Sequence, residues 1–283
     1  MTEAYNIYAD GTNKDDLIEI KGAVIETVAK TAVSMKIKNR YGVGDPAAGS
    51  VTYDRFKTSA SKAYGTARTA GKGDALKNTG KVTNNISDRQ EIIEELEEGD
   101  VTRFGVVDLV ERRQNGEAAS MVAYLDGKFF AEAESKATAI AGLTTDMKIE
   151  DIIEKVIQTL ESVKNDWVRG VPRNQIRIAA SPAIFGKLSN HLNTIKNSIT
   201  GEEQAVFNGG VVVYENINQT ADIVAMHEGA VAQDVNVRDY TDPARIPFSS
   251  AYEVALFYDQ GTKAVEPDLI FKATLTEPAT SSE

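Results

Sequence analysis

The chain has 283 residues, a net charge of −11 at pH 7, 42% apolar and 26% charged residues, and no cysteine. A chain of this size can bury a full core in one or two domains, and this composition is that of an ordinary globular protein. Disulfides, thiolate chemistry and cysteine-bound zinc or iron–sulfur centres are excluded, no run approaches the roughly 18 apolar residues of a membrane span, the polar N-terminal MTEAYNIYADGTNKDD is not a secretory signal, and the acidic balance argues against a general nucleic-acid binder.

Lys14 to Lys36 has the spacing of an amphipathic helix, with Leu17, Ile18, Ile20, Val24, Ile25, Val28 and Met35 near helical periodicity. Asp15, Asp16 and Glu19 at its start and Lys30 and Lys36 near its end suit the helix dipole. Gly42, Gly44, Asp45, Pro46 and Gly49 mark a break. Val51 to Asp54 alternates like the start of a strand. The next stretch, Lys57 to Asn85, holds only Tyr64, Leu76 and Val82 as large apolar residues. A polar excursion this long inside a compact domain is functional or disordered. With Lys81 to Thr83 as the returning strand, the chain is expected to form a long two-stranded arm from Ser50 to about Ser87. An isolated hairpin of that kind is marginal in water. The arm is also basic: Lys36 to Lys81 carries ten lysines and arginines against three aspartates, a net of +7, which leaves −18 on the remainder. A basic arm on an acidic body points to an acidic partner surface, and the nearest is another copy of the same chain.

Ser87 to Gly99 reads either as a short helix capped by Ser87 or Asp88 or as a strand through Ile93. Asp100 is expected to cap a long helix reaching about Ser135, with Phe104, Val107, Ala118, Met121, Val122, Leu125, Phe129 and Ala133 on one side. Gly105, Gly116 and Gly127 each weaken it by up to about 1 kcal/mol relative to Ala, so it needs tertiary support. Ala137 to Asp146 is a loop, and Ile149 to Trp167 a second helix with one apolar stripe that includes Trp167. Strands are expected at Ile176–Ala180, Val211–Tyr214, Asp222–Met226, Val231–Asp239, Ala251–Tyr258 and Leu269–Leu275. Ser181 and Pro182 open a short helix, and the tail TEPATSSE is disordered. The aromatic residues Tyr240, Phe248, Tyr252, Phe257 and Tyr258 are expected to pack between strands and around turns. Pro243 and Pro247 stiffen the loop before Ser249.

The search for catalytic residues is nearly empty. His191 and His227 are the two histidines, too few for a catalytic zinc cluster, and His227-Glu228 lacks the second histidine of a zincin helix. No G-x-S-x-G elbow occurs. Gly65 stands one residue too far from Gly71-Lys72 for a P-loop, and Gly73 replaces its Ser/Thr. Carboxylate pairs are plentiful, as in any acidic chain, and do not by themselves indicate a glycosidase. No cofactor, metal or catalytic residue is expected.

In order and spacing the chain resembles the major capsid proteins of tailed bacteriophages, the HK97-type fold. The pieces that carry the resemblance are the polar hairpin (the family's E-loop), the long spine segment DVTRFGVVDLVERRQNGEAASMVAYLDGKFFAEAE (Asp100 to Glu134), IRIAASPAIFGKL, GGVVVYEN with ADIVAMHEGAVAQ as a pair of strands, and the closing SSAYEVALFYDQGTKAVEPDLIFKATL. The resemblance implies an α+β fold with an N-terminal arm and helix (1–49), an E-loop and return segment (50–99), a spine helix and peripheral P domain (100–170), an axial A domain (171–245), and closing strands back into the P domain with a tail (246–283). It implies a structural subunit that self-assembles as pentamers and hexamers into the icosahedral shell of a virion, built in the bacterial host cytoplasm around double-stranded DNA that it does not read. The implied partners are further copies, a portal and, because only about 45 residues precede the arm, a separate scaffolding protein unless scaffolding is dispensable. Lys62, Lys72, Lys77 and Lys81 are candidate contacts to an acidic dock at Glu94, Glu95, Glu97 and Glu98 on a neighbour. An encapsulin-type compartment, which uses the same fold to enclose cargo enzymes, is the second reading. A carboxylate-dependent hydrolase with the basic loop as a lid is the third.

Overall fold

The structure, a computed structural model, describes residues 13–58, 61, 63–65, 80–97, 106–197, 203–240, 244–249 and 251–278. Among the described residues five α-helices run α1 (Asn13–Thr31), α2 (Val33–Ile37), α3 (Val106–Lys136), α4 (Ile149–Glu161) and α5 (Pro182–Leu188). The strands are β1 (Val43–Asp45), β2 (Ser50–Tyr53), β3 (Val82–Asn85), β4 (Asp88–Leu96), β5 (Thr138–Ala139), β6 (Ile176–Ala180) and β7 (Asn193–Lys196), then β8 (Glu203–Phe207), β9 (Val211–Glu215), β10 (Ile223–His227), β11 (Val231–Tyr240), β12 (Ala244–Arg245), β13 (Tyr252–Ala264) and β14 (Ile270–Ala273).

These strands form three sheets. The largest has seven strands in the order β5-β14-β10-β6-β9-β8-β7. Its central strands are apolar on both faces, as a sheet covered on both sides requires. Ile176, Ile178 and Ala180 of β6, Ile223 and Ala225 of β10, and Phe271 and Ala273 of β14 face α4 and α5. The alternate residues Ala179, Val224, Met226 and Ile270 face Phe129, Phe130 and Ala133 of the long helix α3. The strands β9 and β10, which the resemblance pairs, are not neighbours: β6 lies between them, antiparallel to β10 and parallel to β9.

In the second sheet β13 is flanked by β11 and β12 on one side and β4 on the other. Leu256 and Tyr258 of β13 pack on Ala118, Met121 and Leu125 of α3, on Val24 and Val28 of α1 and on Ala32 just past its end. The 31 residues of α3, about 46 Å at 1.5 Å per residue, therefore join two cores: Ala118, Met121 and Leu125 support this sheet, and Phe129, Phe130 and Ala133 the seven-stranded one. The closing segment divides between them, with β13 in the second sheet and β14 in the first. The third sheet is β1-β2-β3, the root of the polar arm.

The structure corrects three sequence expectations and settles one left open between helix and strand. The first helix is broken at Ala32, because Asp126 of α3 accepts the backbone N–H groups of Val33 (3.2 Å) and Ser34 (2.8 Å) and so caps α2 from outside its own segment. Ser87–Gly99 resolves as a strand, since Asp88–Leu96 pairs with β13 over nine residues. The helix from Ile149 ends at Glu161, not Trp167. There the Asn165 side chain accepts the N–H groups of Trp167 and Val168, both at 2.8 Å, and turns the chain. Phe248 does not pack between strands but is fully exposed. The expected caps at Asp100 and the tail beyond 278 lie outside the described residues, whereas Pro182 does open α5.

Candidate assembly interface: a fastened hairpin and an acidic sheet edge

The polar arm leaves the body between β2 and β3, which pair antiparallel from Ser50↔Asn85 to Tyr53↔Val82. Two separate contacts hold this root. The first is buried. Asp234 of β11 accepts the Tyr53 hydroxyl (2.8 and 2.9 Å) and the Asn84 amide (2.8 Å), and the same amide donates to the Gly261 carbonyl (2.9 Å). Burial, first, and the hydrogen bond to Asp234 push the Tyr53 phenol well above its usual pKa, so it stays a donor. A Cβ on Gly261 would stand 2.3 Å from the Asn85 carbonyl oxygen, so β3 approaches β13 this closely only across a glycine.

The second fastening is a clasp at the body's surface. Arg55 donates both terminal nitrogens to Asp268 in the turn between β13 and β14 (2.5 and 2.8 Å), and its Nε lies 3.4 Å from Glu266. Its guanidinium also lies over the Trp167 ring at 4.9 Å, with Lys57 over the same ring at 5.4 Å. Lys57 pairs with Asp166 at 2.7 Å, and Thr58 donates its N–H to the Asp166 carbonyl at 3.1 Å. A Cβ on Gly80 of the returning strand would meet Arg55 at 2.9 Å and Trp167 at 3.0 Å, so both strands close on the indole. Burial acts to raise the pKa of the Asp268 carboxyl, but the Arg55 fork and the Asn165 amide outweigh it, and the net shift is downward. Trp167 is thus not part of the helix stripe; it is the platform for the arm's root.

The acidic run lies along β4. Alternation splits it: Glu91, Ile93 and Glu95 face solvent, whereas Glu94 and Ile92 turn inward and are half-buried. Glu97, just past the strand, is exposed. Glu95 stands opposite Glu253 of β13, both exposed, a like-charge cross-strand pair that costs a sheet stability. At the other end Asp88 accepts from Tyr124 (2.8 Å), Gln260 (2.6 Å) and Gln90 (2.8 Å). Burial pushes its carboxyl upward, but these donors and Lys128 prevail and hold it below the usual carboxylate range. Of the residues named from sequence, Lys81 is exposed at the start of the returning strand, and Glu94, Glu95 and Glu97 lie as described. Lys62, Lys72, Lys77 and Glu98 lie outside the described residues. The clasp residues Arg55, Trp167 and Asp268 carry no motif, and the sequence reading missed their role.

Among the described residues no three His, Asp or Glu side chains converge as a metal site. The two histidines stand apart, His191 3.4 Å from Glu150 and His227 2.9 Å from Glu266.

No protein-family model and no curated protein matches the sequence. Solved structures do match over nearly the whole chain. A structure of Mycobacterium phage Che8 aligns with a TM-score of 0.59 at 17% identity, covering 88% of this chain and 93% of that one. The capsid of Ralstonia phage GP4 gives 0.58 at 12%, covering 87% of each. A virus-like particle from Pyrococcus furiosus gives 0.57 at 12%, covering 90% and 97%. With a polar hairpin at β2–β3, a long α3 between two sheets and alignment over nearly the whole chain to these structures, the chain has the HK97-type fold.

Proposed function

We propose that this chain is the major shell subunit of a tailed-phage-type capsid, assembling as pentamers and hexamers into a closed icosahedral head. The observation that carries the reading is the hairpin root. It is fastened to the body at two places, yet the arm beyond it has almost nothing apolar to bury in its own chain. An arm whose direction is fixed in advance loses less entropy when it docks on a neighbour. Each contact is modest, and many copies make the shell stable through multivalency.

The dock is the solvent face of β4, with Glu95 and Glu97, together with Glu94 and Glu98. The partners that meet it are Lys62, Lys72, Lys77 and Lys81 of another copy. A portal and a separate scaffolding protein complete the head, and the shell encloses double-stranded DNA without reading it. The acidic body leaves packaged DNA mobile, its charge balanced by cations. Assembly in a host cytoplasm belongs to the same proposal, as does the division of labour between a peripheral domain around β13 and an axial domain around the seven-stranded sheet. No catalysis is required of any residue. The likeness to a virus-like particle favours, as a second reading, a compartment that encloses cargo in place of a genome. Expression of the chain alone and with its genomic neighbours, followed by electron microscopy, separates the two. DNA-filled heads with a portal support the first, and protein-filled particles without one support the second.

A further inference from the structure

Two exposed like-charge pairs of opposite sign stand on this subunit, and like charges directly opposite each other destabilise the strands that carry them. The acidic pair is Glu95 and Glu253, opposed where β4 meets β13. The basic pair is Lys164 and Arg169, which face each other across an antiparallel bridge in the turn after α4, both exposed. Directly opposed residues hold their Cβ atoms about 5 Å apart, so the two pairs share one spacing. Asp166, the acid between Lys164 and Arg169 in sequence, is taken up by Lys57 at 2.7 Å. None of the four side chains has an ion partner among the described residues.

The two pairs do not meet within one subunit. Asn165 of the basic turn donates to Asp268, which lies past the far end of β13. Glu253 is the second residue of that strand (Tyr252–Ala264), so about 36 Å of strand separates them at 3.3 Å per residue. The basic turn is also fixed in place. Its Gly170 N–H donates to the Val163 carbonyl at 2.7 Å, in addition to the two N–H groups that the Asn165 side chain accepts. Lys164, Asn165 and Arg169 line an open cleft of about 490 Å³ there. We infer that this turn receives the Glu95–Glu253 pair of another copy, two cations meeting two carboxylates of matched spacing. The contact is head-to-tail: each copy gives its acidic pair to one neighbour and its basic turn to another, the kind of interface that closes into rings. It relieves two repulsions on assembly, and any register that sets like charges together is rejected. The inference rests on the shell reading and gives the dock on β4 a receiver on the neighbour's body, beside the arm's lysines.

A carbodiimide joins an amine to a carboxylate in contact with it, so treating assembled particles of the unaltered protein tests the geometry directly. Peptides joining Lys164 to Glu95 or Glu253 are expected by mass spectrometry, and are expected to be absent from the unassembled subunit. In parallel, E95K/E253K and K164E/R169E are each expected to raise the critical assembly concentration by about tenfold or more at low salt, and the fourfold swap to bring it back toward the wild-type value. E253Q is expected to raise the thermal midpoint of the unassembled subunit, because it relieves the pair, and yet to weaken assembly. Cross-links from Lys164 to other carboxylates alone, or assembly of both reversed variants at the wild-type concentration, overturn the inference and leave the shell reading standing. K164E/R169E particles that form normally but retain less DNA also overturn it, and assign the turn to nucleic-acid phosphates. Failure of the unaltered protein to assemble under any condition is a different result and overturns the shell reading itself.

Discussion

Single side chains in this protein fix where whole segments point. Asp126 stands on α3 and caps a helix 92 residues away in sequence. Burial pushes its carboxyl upward, and the two backbone N–H groups it accepts, with the Ser34 side chain, oppose that. D126A is expected to remove the cap and cost about 1–2 kcal/mol, read as a lower thermal midpoint; an unchanged midpoint would contradict the capping role. Asp268 is an acid-sensitive member of the arm's clasp, beside the more exposed Asp166, whose carboxyl Lys57 also holds below its usual range. The folded pKa of Asp268 is depressed, so its stabilisation is full above the unfolded value of about 3.9 and is lost as pH falls through the folded one. The clasp is therefore expected to hold unchanged from neutral pH down to about pH 4 and to loosen below it. D268N should flatten that acid dependence when cleavage of the arm by a protease is followed against pH. At Phe248 the left-handed backbone costs an L-residue about 1–2 kcal/mol, and glycine returns about 0.5–1 of that as chain entropy. F248G is thus expected to leave the subunit as stable or slightly more so, read as an unchanged or raised thermal midpoint.

The arm and its root are an element with two fastenings of different depth. The Asp234 cluster is buried and holds β2 and β3, whereas the Trp167 clasp is at the surface and holds 55–58. W167A is expected to speed amide exchange at residues 55–58 by about tenfold while leaving 82–85 protected, because local opening follows local contacts. Equal loss of protection at both would show the two fastenings to be one. The same scale shows what sequence patterns reveal and where they stop. The stripe Ile152, Ile153, Val156, Ile157 and Leu160 of α4 is legible because one face is buried throughout. The central strands are legible as apolar runs. β7 is not, since its four residues are all exposed and carry no alternation. The break at Ala32 is illegible because its cause, Asp126, is distant in sequence, and the extent of β4 is set by β13. For the interface, composition exposes the basic arm and the acidic run. It cannot show that alternation turns Glu94 inward, that Trp167 belongs to a turn, or that a phenylalanine occupies a glycine position.

At the scale of the whole molecule, charge separation is the organising feature, with +7 on segment 36–81 against −18 elsewhere. Opposite surfaces on one chain attract between copies and are screened over about 10 Å at 0.1 M salt. Reversing Glu95, Glu97 and Glu98 to lysine is expected to block assembly at low salt while leaving the subunit folded. Normal particles from that variant would remove β4 as the dock. The unaltered protein should form particles more readily as salt is lowered, measured by light scattering.

The most direct test of the central claim is negative-stain electron microscopy of the purified protein, expressed alone and with its genomic neighbours. The account predicts closed shells or regular five- and six-fold capsomers. A protein that stays monomeric at high concentration and low salt, in every combination, would contradict it.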